Sequence, residues 1–198
     1  MRSNGLQLNT AKSEILWSAT GPRSHQLPQL PLRVCTDEVM SAAVIHDLGI
    51  YIDSGVSMRS HVTKTVSVCF AVLRQLRSIR RSVPRSVFQS LTSFVFSRLD
   101  HGNATLAGIP LYQLKRLQSY VMNFAARLVF PSSGYDHITP LVHELHWLKA
   151  AEKIDYKLAL LVYKCRQEAA PSYLADELRE PADFKARCRL RSASSSSL

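Results

Sequence analysis

The chain has 198 residues, 46% of them hydrophobic and 20% charged, which are the proportions of a globular protein rather than a disordered one. No stretch approaches the roughly 18–20 apolar residues of a membrane span, and the N-terminus lacks the basic-then-apolar order of a signal peptide. The net charge of +10 is concentrated: residues 56–130 hold eleven Lys or Arg and one acid, Asp100, whereas the rest of the chain is balanced.

The pattern GLQLNTAKSEILWS opens abruptly. Leu6 and Leu8 read as the end of a helix, Asn9–Ser13 as a turn, and Glu14–Ser18 as the start of an apolar strand. The absence of a capping sequence before Leu6 gives the expectation of a domain that begins upstream of Met1. Residues 21–32, with three prolines and a glycine, read as an extended loop. Arg33–Thr36 and Ala43–Leu48 are strand candidates. Gly49–Asp53 continues the second through alternating Ile50 and Ile52, and Asp53–Gly55 closes the unit with a turn.

From Met58 the period becomes helical. His61–Arg81 places Val66, Cys69, Phe70, Leu73, Leu76 and Ile79 on an apolar face, with Arg74, Arg77 and Arg81 along another. Ser82–Pro84 breaks this helix, and Ser86–Leu99 is the next, with Val87, Phe88, Leu91, Phe94, Val95 and Leu99 inward. After a polar turn at Asp100–Asn103, Leu114, Leu117, Val121, Phe124, Ala125 and Leu128 form one helical face that ends before Pro131. Asp136–Trp147 has Thr139 as N-cap with Pro140 at the first helical position. Glu152–Glu168 carries Ile154, Leu158, Leu161, Val162 and Cys165 on one side. Pro171–Leu178 is a short last helix, and the chain after Pro181 is basic, then serine-rich, as disordered tails are.

Four widely spaced cysteines without a CxxC pair fit reduced thiols in an intracellular protein, nuclear or cytoplasmic, and offer no zinc site. His143-Glu144-Leu145-His146 is not the HExxH zinc motif, so these histidines read as interfacial or capping residues. Asp100 and His101 resemble an acid–base pair only superficially, and an Arg98–Asp100 turn contact or a helix C-cap explains them better. Lys12, in a turn before a strand, is placed to approach a phosphate or protonate a leaving group. The same spacing also describes a solvated turn lysine. Arg74, Arg77 and Arg81, with Lys64 and Arg85 nearby and Lys115 and Arg116 beyond, read either as a track for a nucleic-acid backbone or as a solvated helix face. The near absence of acids favours the track, since solvating faces interleave both signs. A membrane partner is disfavoured because no lipidation motif or basic amphipathic face with bulky exposed aromatics is present.

Five strings, GLQLNTAKSEIL, VIHDLGIYIDSGVSMRSHV, SRLDHGNATLAGIP with LKRLQSYVMNFAARLV, YDHITPLVHELHWLKAAEKIDYKLALLVYKC, and APSYLADEL, resemble in order the C-terminal part of non-LTR, LINE-type (jockey-like) retrotransposon reverse transcriptases. The resemblance covers about residues 5–178. It implies an α+β, mostly α chain: an incomplete palm remnant with a β-hairpin over 1–57, a helical thumb-like bundle over 58–178, and a tail over 179–198. The family's Asn-x-x-Lys-[Ser/Thr]-Glu turn matches Asn9, Lys12, Ser13 and Glu14, which implies a general-acid role for Lys12 toward departing pyrophosphate. Leu48 and Gly49 match a primer-grip hairpin. Lys64, Arg74, Arg77, Arg81, Lys115 and Arg116 are then implied contacts to RNA template and RNA–DNA or DNA primer duplex. His101-Gly102 departs from the family's common Tyr-Cys, while the following Asn is kept as Asn103.

The family's metal-binding aspartates lie in earlier motifs that this sequence does not contain. Mg²⁺ is therefore expected only in the complete parent enzyme, together with its N-terminal fingers and palm, and none is expected in this chain. The leading expectation is a C-terminal fragment of an RNA-directed DNA polymerase that binds template–primer and is inactive alone. The alternatives are a non-catalytic nucleic-acid-binding helical module and a retroelement relic without function.

Overall fold

The computed structural model describes residues 9–19, 27–28, 30–34, 37–130, 132 and 136–179. The α+β, mostly helical expectation holds: two small antiparallel hairpins precede a series of helices. The residue 6–8 helix end, most of the 21–32 loop, Cys35–Thr36 and the tail lie outside the described residues. Contacts divide the chain into two units, Met1–Lys153 and Ile154–Leu198.

In the first unit Thr10–Lys12 forms a single 3₁₀ turn, closed by the Ser13 hydroxyl donating to the Asn9 carbonyl at 2.9 Å. The strand expected over Glu14–Ser18 reduces to one parallel bridge between Ile15 and Ser41. A strand is defined by a ladder of paired backbone groups, and among the described residues of this segment only Ile15 has a bridge partner. Strand β1, Leu32–Val34, pairs with β2, Asp37–Val39, a segment too acidic for apolar alternation to reveal. The expected continuous strand through Asp53 instead reverses on itself. β3, Val44–Asp47, pairs with β4, Ile50–Asp53, in register Val44↔Asp53 to Asp47↔Ile50. Leu48 and Gly49 both have positive φ, 45° and 87°, the geometry of the two-residue turns whose twist suits a hairpin.

Asp53 then starts the helical region. Its carboxylate accepts from the Ser57 amide at 2.7 Å, the Ser57 hydroxyl at 3.0 Å and the Ser60 amide at 3.4 Å. It thereby caps the first turn of α1, Arg59–Ile79, which its own preceding residue Met58 does not cap. Burial raises the Asp53 pKa, but the bonds from Ser57 and Ser60 outweigh it and hold the carboxyl below its ordinary value.

α1 buries His61, Val62, Val66, Cys69 and Leu73. A 3₁₀ turn, Arg80–Ser82, and Pro84 separate it from α2, Arg85–Asp100. α2 buries Phe88, Thr92, Val95, Phe96 and Leu99, whereas Val87 and Phe94, expected inward, are 48% and 73% exposed. The inward stripe is rotated because Phe96 meets Trp147 edge-on at 4.3 Å.

Next come α3, Leu111–Arg116, a π-helical segment, Leu117–Asn123, and α4, Phe124–Val129. The π turn matches an i,i+5 side-chain bond, Gln118 Nε2 to Asn123 Oδ1 at 2.8 Å. Its extra residue per turn broadens the expected face: Met122, Ala126 and Val129 are buried beside Leu117, Val121, Ala125 and Leu128. α1 packs on this segment and on α2, α3, α4 and β4. α5, Ile138–Glu144, begins one position before the expected Thr139 cap, and His137, two positions before it, takes the capping position. His146, at φ 54°, is the left-handed residue after α5, and the Trp147 amide bonds back to Val142 at 3.1 Å, so this histidine is a helix-terminating residue.

The second unit holds most of α6, Ala150–Arg166, and α7, Ser172–Ala175. In α6, Ile154 and Cys165 are buried as expected, but Val162 is exposed. Among the described residues no helix is long and apolar enough to cross a membrane.

Candidate functional site

Helix α1 has two chemically distinct sides. Its core side is fixed by Leu73, fully buried, and by Cys69, whose thiol pKa is raised by burial, with nearby Arg98 opposing. Beyond Leu73 the exposed side carries Arg74 and Arg77, and the 3₁₀ turn brings Arg80 and Arg81 onto the same surface. Together with Ser78 these four arginines line one open concavity. The described salt bridges belong to other basic residues: Arg85–Glu144, Lys149–Glu152 and Lys153–Asp100. Among the described residues the concavity is therefore a cationic surface without a carboxylate along its lining. Arg80 escapes a strict α-helical stripe, yet its i+3 spacing from Arg77 and the helix-breaking Ser82–Pro84 were the signal for it.

The other candidate residues are placed elsewhere. Lys64 sets its Nζ 3.8 Å from the centre of the Tyr51 ring, a cation–π contact that fastens α1 to β4. Arg85 lies 4.0 Å over the Phe130 ring and bonds Glu144 at 3.0 Å. Arg116 donates to Thr63 Oγ1 at 3.1 Å and ties α3 to α1, while its neighbour Lys115 is exposed. Lys12 is exposed on its 3₁₀ turn. The adjacent Thr10 hydroxyl donates to Asp37, and Glu14 accepts from the His46 amide at 3.3 Å, so this turn is bound to both hairpins. None of these residues lines the arginine concavity.

Leu48 and Gly49 form the exposed tip of the β3–β4 hairpin. The tip is held by His101, whose Nε2 donates to the Leu48 carbonyl at 2.8 Å. A side chain at Gly49 would bring its Cβ within 2.8 Å of that nitrogen. Gly102, at φ 64°, lies so close to Ile50 that a Cβ would meet Ile50 Cδ1 at 2.7 Å. The His-Gly pair is thus fitted to the hairpin, the histidine as donor and the glycine as clearance. Asp100 turns the other way: both oxygens accept from Lys153 Nζ at 2.9 Å, not from Arg98.

A second concavity, an apolar cleft of about 510 Å³, lies between the hairpin and the Thr105–Pro110 turn, with Ile50, Ile52, Val56, Met58 and Ile109 in its walls. Gln113, fully buried nearby in sequence, donates from Nε2 to the Ser57 carbonyl at 3.2 Å and so holds the start of α3 to the entry of α1. Among the described residues no three His, Cys, Asp or Glu side chains converge as metal ligands. The arrangement can bind anions and position a hairpin, and among the described residues no nucleophile–base pair lines the arginine concavity. No family model matches the chain, and neither a curated protein nor a solved structure does.

Proposed function

We propose that this chain is the C-terminal part of a retroelement RNA-directed DNA polymerase, in which the helical region grips the template–primer duplex by its phosphate backbone. The observation that carries the proposal is the surface of Arg74, Arg77, Arg80 and Arg81, four guanidinium groups around one concavity with no carboxylate in its lining among the described residues. Planar guanidinium forks match phosphate oxygens, and a row of them reads charge and spacing rather than base sequence. The resemblance of the motif strings supplies the polymerase context, and the hairpin tip at Leu48–Gly49 is the element that would meet the primer. Lys12 would act on pyrophosphate only beside the parent's two carboxylate-held metal ions.

The alternative, a free-standing nucleic-acid-binding module, draws on the same surface, because residues 74–81 form it without help from the hairpins. Fluorescence anisotropy with a labelled RNA–DNA hybrid, a DNA duplex and single-stranded RNA separates the two. A preference for hybrid supports the polymerase reading, and equal affinity for all three supports the module. The triple charge reversal Arg74→Glu, Arg77→Glu, Arg81→Glu should abolish measurable binding. Unchanged affinity would remove the arginine surface from both accounts. Primer extension by this chain alone should yield no product, and extension above background would overturn the placing of the catalytic aspartates elsewhere in the proposed parent enzyme.

A further inference from the structure

One buried ionisable residue has no part in phosphate binding. His61, in the first turns of α1, is 4% exposed, and its Nδ1 accepts the backbone N–H of Tyr51 at 3.4 Å. An imidazole that accepts through Nδ1 carries its proton on Nε2 and is neutral. The same joint gathers two further histidines from distant parts of the chain. His46 on β3 stacks on the Tyr51 ring at 4.3 Å, and His101 donates to the Leu48 carbonyl. Tyr51 also lies 6.4 Å from the His61 ring and beneath Lys64.

We infer that His61, packed beside His46 and His101, is a proton-sensitive latch that fastens the β3–β4 hairpin to the helical region near neutral pH and loosens it in mild acid. The groups facing His61 are of one sign or neutral. From the hairpin come His46 and Tyr51, from beyond α2 His101, and from α1 itself Lys64 one turn on. Asp47, on the same hairpin, is exposed, and Asp53 is occupied with Ser57 and Ser60. α3 contributes Arg116, which bonds Thr63. Protonating Nδ1 therefore removes the acceptor for Tyr51, and among the described residues no carboxylate is bonded to the ring to compensate. Burial first, and then His101 and His46, hold the His61 pKa below its ordinary value. A histidine whose folded pKa is depressed contributes stability above the unfolded value of about 6.5, and that stability is lost as pH falls through the folded value. His101 behaves differently, since donation from Nε2 survives its protonation. The sensitive bond is the one at His61. The latch concerns the position of the Leu48–Gly49 tip and stands whether or not the arginines bind nucleic acid.

Native-state amide exchange reads the latch directly. Between pH 7.5 and 5.5 the protection factors of the β3–β4 amides, Tyr51 foremost, should fall about 2- to 10-fold relative to those of α4, the range of one lost net hydrogen bond. His61→Asn keeps an acceptor near the Nδ1 position without titrating, and it should make the hairpin's relative protection independent of pH. His46→Gln, at an exposed position, should reduce the pH response without disturbing the fold. The wild-type imidazole titration gives a second reading, with His61 expected to titrate below the ordinary histidine range. Hairpin protection that is constant with pH, or that falls in step with α4, would overturn the latch. A His61 titration at or above the ordinary value would do the same.

Discussion

Neutralising the arginine surface has a consequence that can be worked out from the geometry. Arg74 to Arg81 spans five α-helical steps and two 3₁₀ steps, a rise of about 11 Å. Along one strand of a duplex that distance covers about three nucleotide steps at roughly 3.4 Å each, so about three phosphates lie within reach of Arg74, Arg77 and Arg81. Each phosphate neutralised releases condensed counterions, and three contacts give a slope of about −2.7 in log affinity against log salt. Raising salt from about 50 to 200 mM should then weaken the wild-type complex about 40-fold through these contacts alone. The triple variant Arg74→Ala, Arg77→Ala, Arg81→Ala should flatten the slope by about the same 2.7, beyond any loss of affinity at a single salt concentration. All three side chains are exposed and belong to no described salt bridge, so thermal stability should change by no more than about 0.5 kcal/mol for each. The assay is anisotropy titration on an RNA–DNA hybrid at four salt concentrations, with melting followed by circular dichroism. Parallel salt plots for variant and wild type would refute the assignment, even if the variant bound more weakly.

Leu73→Ala empties a fully buried site between α1 and its neighbours and should cost about 2–5 kcal/mol in urea unfolding, whereas a loss under about 1 kcal/mol would remove Leu73 from the core. Gly102→Ala puts a methyl group against Ile50 at a left-handed backbone position and should cost about 1–3 kcal/mol, so a neutral result would contradict the close approach. Arg85→Ala loses its stacking on Phe130 and should destabilise by about 1–2 kcal/mol. Glu144→Gln removes only a partner more than half exposed, at a cost of about 0–1 kcal/mol, and equal effects would refute the stacking account. Asp53 has a folded pKa below its unfolded value, so its capping contribution is present above about pH 4 and is lost as pH falls through the folded value. Asp53→Asn should flatten that acid limb of the stability curve, and an unaltered limb would place the acid sensitivity elsewhere.

Helix positions were legible where the apolar period was long. The core of the α1 stripe and the Leu117–Leu128 face follow from spacing alone, because burial of one face is what selects a helix, but Ile79, expected on the same α1 face, is exposed. Spacing could not report where the period itself changes. Met122 and Ala126 enter the core only because the π turn shifts the following residues, and the Gln118–Asn123 bond that accompanies it is one pair among many polar pairs at that distance. Alternation through Ile50 and Ile52 predicts the extended backbone but not its reversal at Leu48–Gly49, where only the resemblance placed a hairpin. Alternation is blind to a two-residue reversal when leucine rather than asparagine occupies the first left-handed position. Of the candidate site, Arg74, Arg77 and Arg81 were visible as a charge imbalance. The joint of His46, His61 and His101 was not, since its members are brought together only by the hairpin docking on α1 and the turn after α2.

The geometry of α1 explains why a charge imbalance there becomes a directed surface. At about 100° per residue, Val62, Val66, Cys69 and Leu73 fall within one narrow arc, and their burial fixes the roll of the helix. Arg74 and Arg77 then lie roughly a quarter-turn to one side of that arc, while Val68, Val72 and Ile79, all exposed, lie to the other. The arginines cannot trade places with the apolar flank without lifting Leu73 and Cys69 out of the core, which would cost several kcal/mol for each large side chain. The 3₁₀ turn extends the same flank by bringing Arg80 beside Arg77 before Pro84 redirects the chain into α2. Packing thus determines where the charge points, and the charge determines how strongly it can hold a phosphate. Core variants such as Leu73→Ala should therefore lower stability while leaving the salt slope of the surviving folded protein intact, whereas arginine variants should do the reverse.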